Sequence, residues 1–492
     1  MNIDELERLA NGVLWPGFLG TTAPEWLQHE LGRGLAGAVY FGQNLGPGLS
    51  DLSTEILTAN PDALIGIDEE GGSVTRLEAV DGSTLPSAYQ LGRLDDVAAT
   101  KANGAEIARR VQAVGGNVAL APVADVNTDP RNPVIGARSF GPDEAVVARH
   151  TVAALEGIQG TGVAACVKHF PGHGDTHLDS HHDLPVITLD VDEFDRVHVE
   201  PFRAAVAAGV DAVMTAHIVV PAWGEQPATL NAHVLGMLRE AGFEGVIITD
   251  ALDMAAIRET VGLGGGAARA LAAGADLLCI GNPTNPGDAA FPDQDERDFH
   301  AARNGIIAAL RDGSLSRERV EQAAARVAAL ATKLRGESPN EGAEPLDLDP
   351  IVRRAISVTG ALPAASDLHV LDARRRSTLA VDSAASYVSQ TLAGDGACVR
   401  LDVTTASTDE QDAAVDAAHA ASALPVILVD SPDTSAAQRA LVERAAVRAP
   451  GAVVVNVGLA AREPLPLPTV EVGAASRISA RLTREMLLGR TG

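Results

Sequence analysis

Histidine and acidic residues crowd one stretch of the chain, KHFPGHGDTHLDSHHDLP at residues 168–185. Four of its histidines recur at every fourth position, at His169, His173, His177 and His181. On a helix this spacing would align the imidazoles on one face and suggest a zinc site. Pro171, Gly172 and Gly174 interrupt the stretch, and a proline inside a helix removes a backbone donor and clashes with the preceding turn. The stretch is therefore predicted to be a loop, and no metal or other cofactor is expected.

Acid–base chemistry fits this loop better than metal binding does. Asp179-Ser180-His181 places a carboxylate two residues from an imidazole, and in an extended or turning loop such residues point to the same side. A carboxylate that accepts from one ring nitrogen fixes the tautomer of a histidine and raises its pKa. The other nitrogen can then donate and remove a proton near neutral pH. Taken alone, the triplet fits solvated loop residues equally well.

Short apolar runs alternate with helical patterns through residues 1–336. The predicted strands cover residues 36–41, 63–68, 117–126, 163–170, 210–217, 245–250 and 275–281. Such runs are typical of parallel strands that are buried on both faces, and the alternation indicates right-handed crossovers. A doubly wound sheet and a closed (β/α)8 barrel both fit this pattern.

Polar residues at the ends of the runs favour the barrel. They are Asp68, Asp125, Lys168, His169, His217 and Asp250. In a TIM-like (β/α)8 barrel the carboxyl ends of all strands open on the face that holds the active site. Asp125 and His217 are interpreted as pocket-lining or structural residues. Seven strands are evident, and the eighth is not.

The composition changes after residue 336. Residues 337–350, ESPNEGAEPLDLDP, are rich in Pro, Glu, Asp and Gly and are predicted to be a linker. Further strand-like runs alternate with helical segments beyond it, at residues 368–373, 397–403, 424–431 and 451–458. The predicted organisation is a catalytic (β/α)8 barrel over residues 1–336 and a smaller accessory α/β sandwich domain over residues 351–492.

The bulk composition is that of a folded protein without nucleic acid or membrane partners. Apolar residues make up 46% of the 492 residues, and the formal net charge is −27. A chain this acidic repels nucleic acids and anionic membrane surfaces. The three cysteines are far apart, and neither a signal peptide nor an apolar run of membrane-spanning length is evident. We therefore expect a cytoplasmic protein with reduced thiols.

The histidine-rich loop resembles a signature of the glycoside hydrolase family 3 β-N-acetylglucosaminidases, Lys-His-Phe-Pro-Gly-His-Gly followed after four residues by Asp-Ser-His. Three other segments resemble the same family in the same order. They are GIDEEGGSVTRL (66–77), NPVIGARSFG (132–141) and GFEGVIITDALDM (242–254). The resemblance covers about residues 10–335, and that of the second domain to the extra domain of some members is weaker.

This resemblance implies a retaining mechanism. Asp250 matches the nucleophile, His181 matches the general acid/base, and Asp179 matches the carboxylate that pairs with it. The remaining matches imply residues that bind the hydroxyls and the 2-acetamido side of the terminal sugar, namely Asp68, Arg76, Arg138, Lys168 and His169.

Elementary chemistry agrees with this assignment. Double displacement with retention needs a carboxylate below the sugar ring and a proton donor at the leaving oxygen. Asp250 follows an apolar strand, although an aspartate there could also cap the next helix. GLGGGA (262–267) resembles a dinucleotide fingerprint only in outline, because it follows a helical pattern rather than a strand. It is predicted to be a flexible loop before the next helix.

The predicted activity is that of a β-N-acetylhexosaminidase that hydrolyses terminal non-reducing β-linked N-acetylglucosamine from muropeptides or chitin fragments, as in peptidoglycan recycling. The partner is then a small saccharide that contains N-acetylglucosamine. Two alternatives lie within the same family: a β-N-acetylglucosaminide phosphorylase, in which phosphate replaces water, and a β-glucosidase. A non-catalytic saccharide-binding protein is the alternative from another class.

Overall fold

The computed structural model describes residues 3–177, 184–336, 346–375 and 385–490. The strands, in chain order, are Leu14–Pro16 (β1), Gly37–Tyr40 (β2), Leu64–Ile67 (β3), Glu69–Gly71 (β4), Val74–Thr75 (β5), Val118–Ala119 (β6), Ala164–Phe170 (β7), Ala212–Thr215 (β8), Val246–Ile248 (β9), Leu278–Gly281 (β10), Ser357–Thr359 (β11), Leu368–Asp372 (β12), Ala397–Arg400 (β13), Leu424–Val429 (β14), Val453–Asn456 (β15) and Thr469–Glu471 (β16).

The α-helices precede, separate and follow these strands. They are Ile3–Asn11 (α1), Glu25–Leu31 (α2), Leu49–Ala59 (α3), Ala88–Leu94 (α4), Val97–Ala113 (α5), Glu144–Gln159 (α6), Val191–Phe194 (α7), Glu200–Ala207 (α8), Ala232–Glu240 (α9), Ala255–Arg258 (α10), Gly262–Ala273 (α11), Gln294–Asp312 (α12), Arg317–Gly336 (α13), Asp349–Ala355 (α14), Ser386–Ala393 (α15), Thr408–Ala420 (α16), Ala436–Arg448 (α17) and Arg477–Leu487 (α18). None of these helices is long and apolar enough to span a membrane.

The chain forms two compact units, each built from several segments. The first contains Met1–Glu69, Thr100–Asn132 and Pro142–Pro345. The second contains Glu70–Ala99, Pro133–Gly141 and Leu346–Gly492. The predicted domain boundaries stay a prediction, because residues 337–345 of the predicted linker lie outside the described residues.

A curled parallel sheet of strand order β2-β3-β6-β7-β8-β9 forms the first unit. Strand β1 pairs in parallel with β10, and a parallel bridge joins Ile248 of β9 to Leu277. The seven predicted strands are confirmed. The structure adds β1, which the sequence did not predict because it has only three residues and ends in proline. Between β1 and β2 the described residues show no ladder, so closure into a full TIM-like barrel stays a prediction.

Trp15 of β1 anchors the interior of this sheet. Its indole N–H donates to the carbonyl of Leu64 at 2.8 Å, and the residue is fully buried. A Cβ at position 66 would lie 2.3 Å from the indole, so the ring needs glycine at that position. The strand interiors pack around the indole as an apolar cluster that includes Val39, Met214 and Ile248. The carboxyl ends of the strands are therefore anchored on a close-packed apolar interior.

The prediction of a flexible loop at 262–267 is wrong, because these residues begin helix α11. A Cβ on Gly305 of α12 would lie 2.3 Å from the carbonyl oxygen of Gly264. The glycines thus allow two helix backbones to approach closely, and packing outweighs the low helix propensity of glycine.

The second unit is built on a six-stranded sheet of order β11-β16-β15-β14-β12-β13. Strand β11 runs antiparallel to β16, and the remaining pairs are parallel. The four strands predicted beyond residue 351 are confirmed. The segment 70–99 packs in the same unit, where Ser87 Oγ and Gln90 Nε2 donate to the carbonyls of Gly473 and Val472 at 2.8 and 2.9 Å.

Candidate active site

Asp68 and Lys168 form an ion pair at the carboxyl ends of β3 and β7, two strands that β6 separates in the first sheet. Asp68 directly follows β3, and Lys168 lies in β7. The ammonium nitrogen lies 2.6 Å from Asp68 Oδ1. Only 2% of the Lys168 side chain is exposed, whereas 19% of Asp68 is. Because a buried ammonium is stable only beside an anion, this pair fixes both groups at the sheet edge.

Asp125 holds His169 and the loop that follows it. The wholly buried Asp125 carboxylate accepts from His169 Nδ1 at 2.7 Å and from the backbone N–H of His173 at 2.7 Å. Burial raises the pKa of Asp125, but the charges and hydrogen bonds of His169 and His173 together outweigh burial and leave this pKa below its ordinary value. With Asp125 ionised, Nδ1 carries the ring proton, and Nε2 is the nitrogen that can accept from a ligand.

The remaining histidines of the loop differ from one another in burial. His173 is buried, and its burial lowers its pKa to about 4, so the ring is neutral at physiological pH. Its carbonyl accepts from Asn132 Nδ2 at 2.9 Å, which ties the loop to a second segment. The side chain of His177 is 60% exposed. Asp179 and His181, the predicted acid/base pair, lie outside the described residues.

Asp250 lies in a turn that hydrogen bonds fix on both sides. It follows β9 by two residues and is partly buried. Its Oδ1 accepts from the N–H of Ala251 at 2.8 Å, and the carbonyl of Ala251 accepts from His217 Nε2 at 2.9 Å. The next two residues donate their N–H groups to the backbone of Cys279 and Ile280, at 3.0 and 3.1 Å. The carboxylate is therefore held by a rigid backbone rather than by a mobile loop.

The alternative role of Asp250 as a helix cap is excluded. The following helix, α10, begins at Ala255, and its N-cap residue is Met254. Asp250 thus lies four residues before the cap position, and its carboxylate accepts from its own neighbour instead.

Asp253 is a second, more deeply buried carboxyl group in the same turn. Asn285 Nδ2 donates to its Oδ2, while its Oδ1 has no hydrogen bond among the described residues. Burial raises the pKa of Asp253 to about 7, although the charge of Arg258 opposes this shift. Asp253 is therefore mostly protonated below pH 7 and ionises above it.

Arg76 and Arg138 belong to the second compact unit, as residues of its segments 70–99 and 133–141. The Arg138 guanidinium forms a two-pronged pair with Glu70, with both N–O distances at 2.8 Å. Less than a tenth of either side chain is exposed. Such a fork is the strongest common geometry for an arginine and a carboxylate, so Glu70 orients Arg138.

The sequence indicated Asp125 and His217 as pocket-lining or structural residues, but it did not show what their side chains bind. Asp125 and His217 were visible only as polar strand ends, and their partners lie 44 and 34 residues further along the chain. Their position at strand ends was the available signal, and it pointed to the right edge of the sheet. It could not show that one holds an imidazole and the other holds the backbone beside Asp250.

Together, the curled parallel sheet and its edge of carboxylates, lysine and histidine define an α/β protein with a polar site at its strand ends. A family model described as the glycosyl hydrolase family 3 N-terminal domain matches residues 21–330. The chain therefore belongs to glycosyl hydrolase family 3, and it is a glycoside hydrolase by family.

Curated relatives and a solved structure agree with this membership. The chain is 32% identical over 342 residues to β-hexosaminidase A of Pseudoalteromonas piscicida, with 64% of this chain and 56% of that protein covered. It is 37% identical over 287 residues to a β-hexosaminidase of Stenotrophomonas maltophilia (strain R551-3), which covers 55% of this chain and 84% of the relative. The chain thus spans just over half the length of the first relative.

The solved structure is that of a glycoside hydrolase family 3 β-N-acetylglucosaminidase from Paenibacillus sp. str. FPU-7. It matches with a TM-score of 0.84 at 30% identity, and the match covers 99% of this chain and 97% of that one. The similarity therefore extends over both sheets.

Proposed function

We propose that this chain is a retaining β-N-acetylglucosaminidase that hydrolyses terminal non-reducing β-linked N-acetylglucosamine. Muropeptides and chitin fragments are the proposed substrates, and the cytoplasm is the proposed location. The β-hexosaminidase names of the relatives and the activity named for the Paenibacillus structure support the sugar assignment.

The fixed Asp250 carboxylate carries this proposal. Its turn is bonded to the adjacent strand and to His217, so its oxygen positions vary little. A nucleophile that must attack one carbon from a defined direction requires such fixation. Asp250 is proposed to attack the anomeric carbon, while the bond from that carbon to the leaving oxygen breaks.

The proton for the leaving oxygen is assigned to His181, with Asp179 as its partner, on the strength of the family motif. A protonated imidazole gives its proton to the departing oxygen in the first step. In the second step the neutral imidazole accepts a proton from water as the water attacks the anomeric carbon and releases Asp250. An imidazole suits this double role because its pKa needs less adjustment than that of a carboxylic acid.

The sugar contacts are assigned to Asp68, Lys168 and His169, and from the family motif also to Arg76 and Arg138. Within the first unit the Asp68–Lys168 pair presents an acceptor and a donor together, which matches the hydroxyl groups of a sugar. Nε2 of His169 adds an acceptor whose orientation Asp125 fixes.

The proposal is tested with 4-nitrophenyl β-N-acetylglucosaminide and the corresponding β-glucoside. The wild-type chain should release 4-nitrophenol from the first substrate and little from the second. Asp250→Asn keeps the size of the side chain but removes the nucleophile, and it should lower kcat by about 10³-fold or more. Asp192→Asn, at an exposed position, is the matched control and should retain wild-type activity.

Three outcomes would reject the proposal in distinct ways. Equal rates on the two substrates would indicate a β-glucosidase. Absence of turnover on both, with measurable sugar binding, would indicate a non-catalytic binding protein. Undiminished turnover by Asp250→Asn would reject the assigned nucleophile.

A further inference from the structure

A pocket in the second unit, of about 450 Å³, lies between helices α15 and α18. This volume is within the range of small-molecule sites in proteins. Its lining residues carry hydroxyl, carboxylate and guanidinium groups and comprise Thr391, Gly394, Asp395, Arg481, Arg484, Glu485 and Arg490. It thus brings three arginines together in a chain whose net charge is −27.

Arg481 and Glu485 are neutralised by their neighbours and form the wall of this pocket. Arg481 pairs with Asp349 and, at 2.9 Å, with Glu485. Glu485 also pairs with Arg353, at 2.5 Å. These two residues therefore have protein partners, and their charges contribute little to the capture of a ligand.

Arg484 and Arg490 differ from Arg481 in this respect. Neither has a carboxylate within ion-pair distance among the residues that the structure describes. The Nε of Arg484 is buried, and within the same described ranges it has no hydrogen-bond acceptor. An atom with so little accessible surface is not reached by a ligand, so anion binding falls to the other nitrogens of the Arg484 guanidinium, which lines the pocket.

Gly394 makes room for the Arg484 guanidinium. A Cβ at this position would lie 2.5 Å from both Nε and Nη2 of Arg484. The φ of Gly394 is +62°, in the left-handed region that favours glycine. The guanidinium therefore lies directly against the chain after α15, which restricts its orientation.

We propose that this pocket binds a small phosphate monoester. The planar guanidinium fork matches phosphate oxygens, and two arginines without carboxylate partners favour a dianion over a monoanion. The hydroxyl of Thr391 and the exposed carboxylate of Asp395 can bond hydroxyl groups on the organic part of the ligand. The ligand expected from this chemistry is a phosphorylated sugar or a similar polyol phosphate.

Isothermal titration calorimetry on the full chain tests the proposal, with glucose 6-phosphate and inorganic phosphate as probes. Sulfate controls for a bare dianion, and glucose controls for the hydroxyl groups alone. Arg484→Gln and Arg490→Gln remove the two cations, and the second lies at an exposed position where folding is unaffected. Arg462→Gln removes one positive charge at another exposed position of the same unit and is the matched control.

The expected result is saturable binding of glucose 6-phosphate with a Kd below about 1 mM, weakened about tenfold or more by Arg484→Gln and about threefold or more by Arg490→Gln. Arg462→Gln should bind within about twofold of wild type. No saturable binding up to about 10 mM, or wild-type binding by both pocket variants, would overturn the proposal. Equal affinity for sulfate would overturn it too, since an adventitious anion only would then occupy the pocket. Because binding rather than sugar hydrolysis is measured, the result is independent of the proposed activity.

Discussion

Replacing Asp125 by asparagine should destabilise the first unit strongly. The carboxylate is wholly buried and accepts from one imidazole N–H and from the backbone N–H of His173. An asparagine has a single acceptor oxygen, and its amide N–H₂ group would face one of these donors. The substitution therefore removes a charge-assisted hydrogen bond and leaves a buried donor without an acceptor.

The magnitude follows from these two losses. A hydrogen bond to a charged group contributes about 1.5–3 kcal/mol, and an unsatisfied buried donor costs about 1–3 kcal/mol. The free energy of unfolding should thus fall by about 3–5 kcal/mol, as for other buried pairs that lose one partner. The pKa of Asp125 lies below its ordinary value of 3.8. The full difference in unfolding free energy between wild type and variant is therefore expected at neutral pH, and it should shrink as the pH falls below about 4.

Tryptophan fluorescence during urea unfolding measures the change in unfolding free energy of the first unit, which contains Asp125. The three tryptophans of the chain, Trp15, Trp26 and Trp223, all belong to the first unit. Asp192→Asn provides a control for the same chemical change at an exposed position of the first unit, and it should stay within about 0.5 kcal/mol of wild type. If Asp125→Asn also stayed within that margin, the buried pair would not hold this part of the molecule.

The remaining predictions concern a buried acid, a helix contact and an ion pair. Between pH 4 and 7 the folded state holds a proton on Asp253 that the unfolded state releases. As the pH rises through this range, the free energy of unfolding of the wild type should therefore fall by up to about 4 kcal/mol. Asp253→Asn has no such proton and should not show this fall. Gly305→Ala should lower the free energy of unfolding by about 1–3 kcal/mol, because its methyl group would collide with α11. Lys168→Met should lower kcat/KM by about 10²-fold, because Asp68 loses the cation that orients it.

Each of these predictions has a control or a result that would contradict it. For Asp253 the comparison is the stability difference between variant and wild type at pH 5 and pH 8, and a difference that does not change with pH would contradict a buried protonated acid. Gly236→Ala is the control for Gly305→Ala, because Gly236 lies in helix α9 and an added Cβ would have nothing within 4 Å. This variant should raise the free energy of unfolding by about 1 kcal/mol. A similar increase for Gly305→Ala would refute the predicted collision. Equal kcat/KM for Lys168→Met and wild type would show that Lys168 does not contribute to sugar binding or catalysis.

Local patterns in the sequence predicted most of the architecture. Apolar runs marked the strands, because burial on both faces leaves no polar alternation. The strand ends at Asp68, Lys168 and Asp250 were also predictable, since each directly follows or interrupts such a run. A three-residue strand such as Leu14–Pro16 carries too little pattern to be seen.

Long-range choices were not predictable from these patterns. Nothing local to Asp125 indicates which side chain it accepts from, because its partner is selected by the pairing of β7 with its neighbours. The glycines of α11 suggested flexibility. Their structural role is close packing against Gly305 of α12, which lies some forty residues further along the chain. In the same way, the packing of Gln90 beside Val472 depends on contacts across 382 residues of sequence.

Trapping the covalent intermediate tests the role of Asp250 most directly. In a 5-fluoro N-acetylglucosaminyl fluoride the ring fluorine slows both steps of a retaining glycosidase, but the good fluoride leaving group keeps the first step fast, so the glycosyl-enzyme accumulates. Peptide mass spectrometry should then find the sugar on the peptide that contains Asp250, and Asp250→Asn should remain unlabelled. A sugar attached to another residue, or slow turnover of the fluoride by the wild type without any covalent adduct, would contradict Asp250 as the nucleophile.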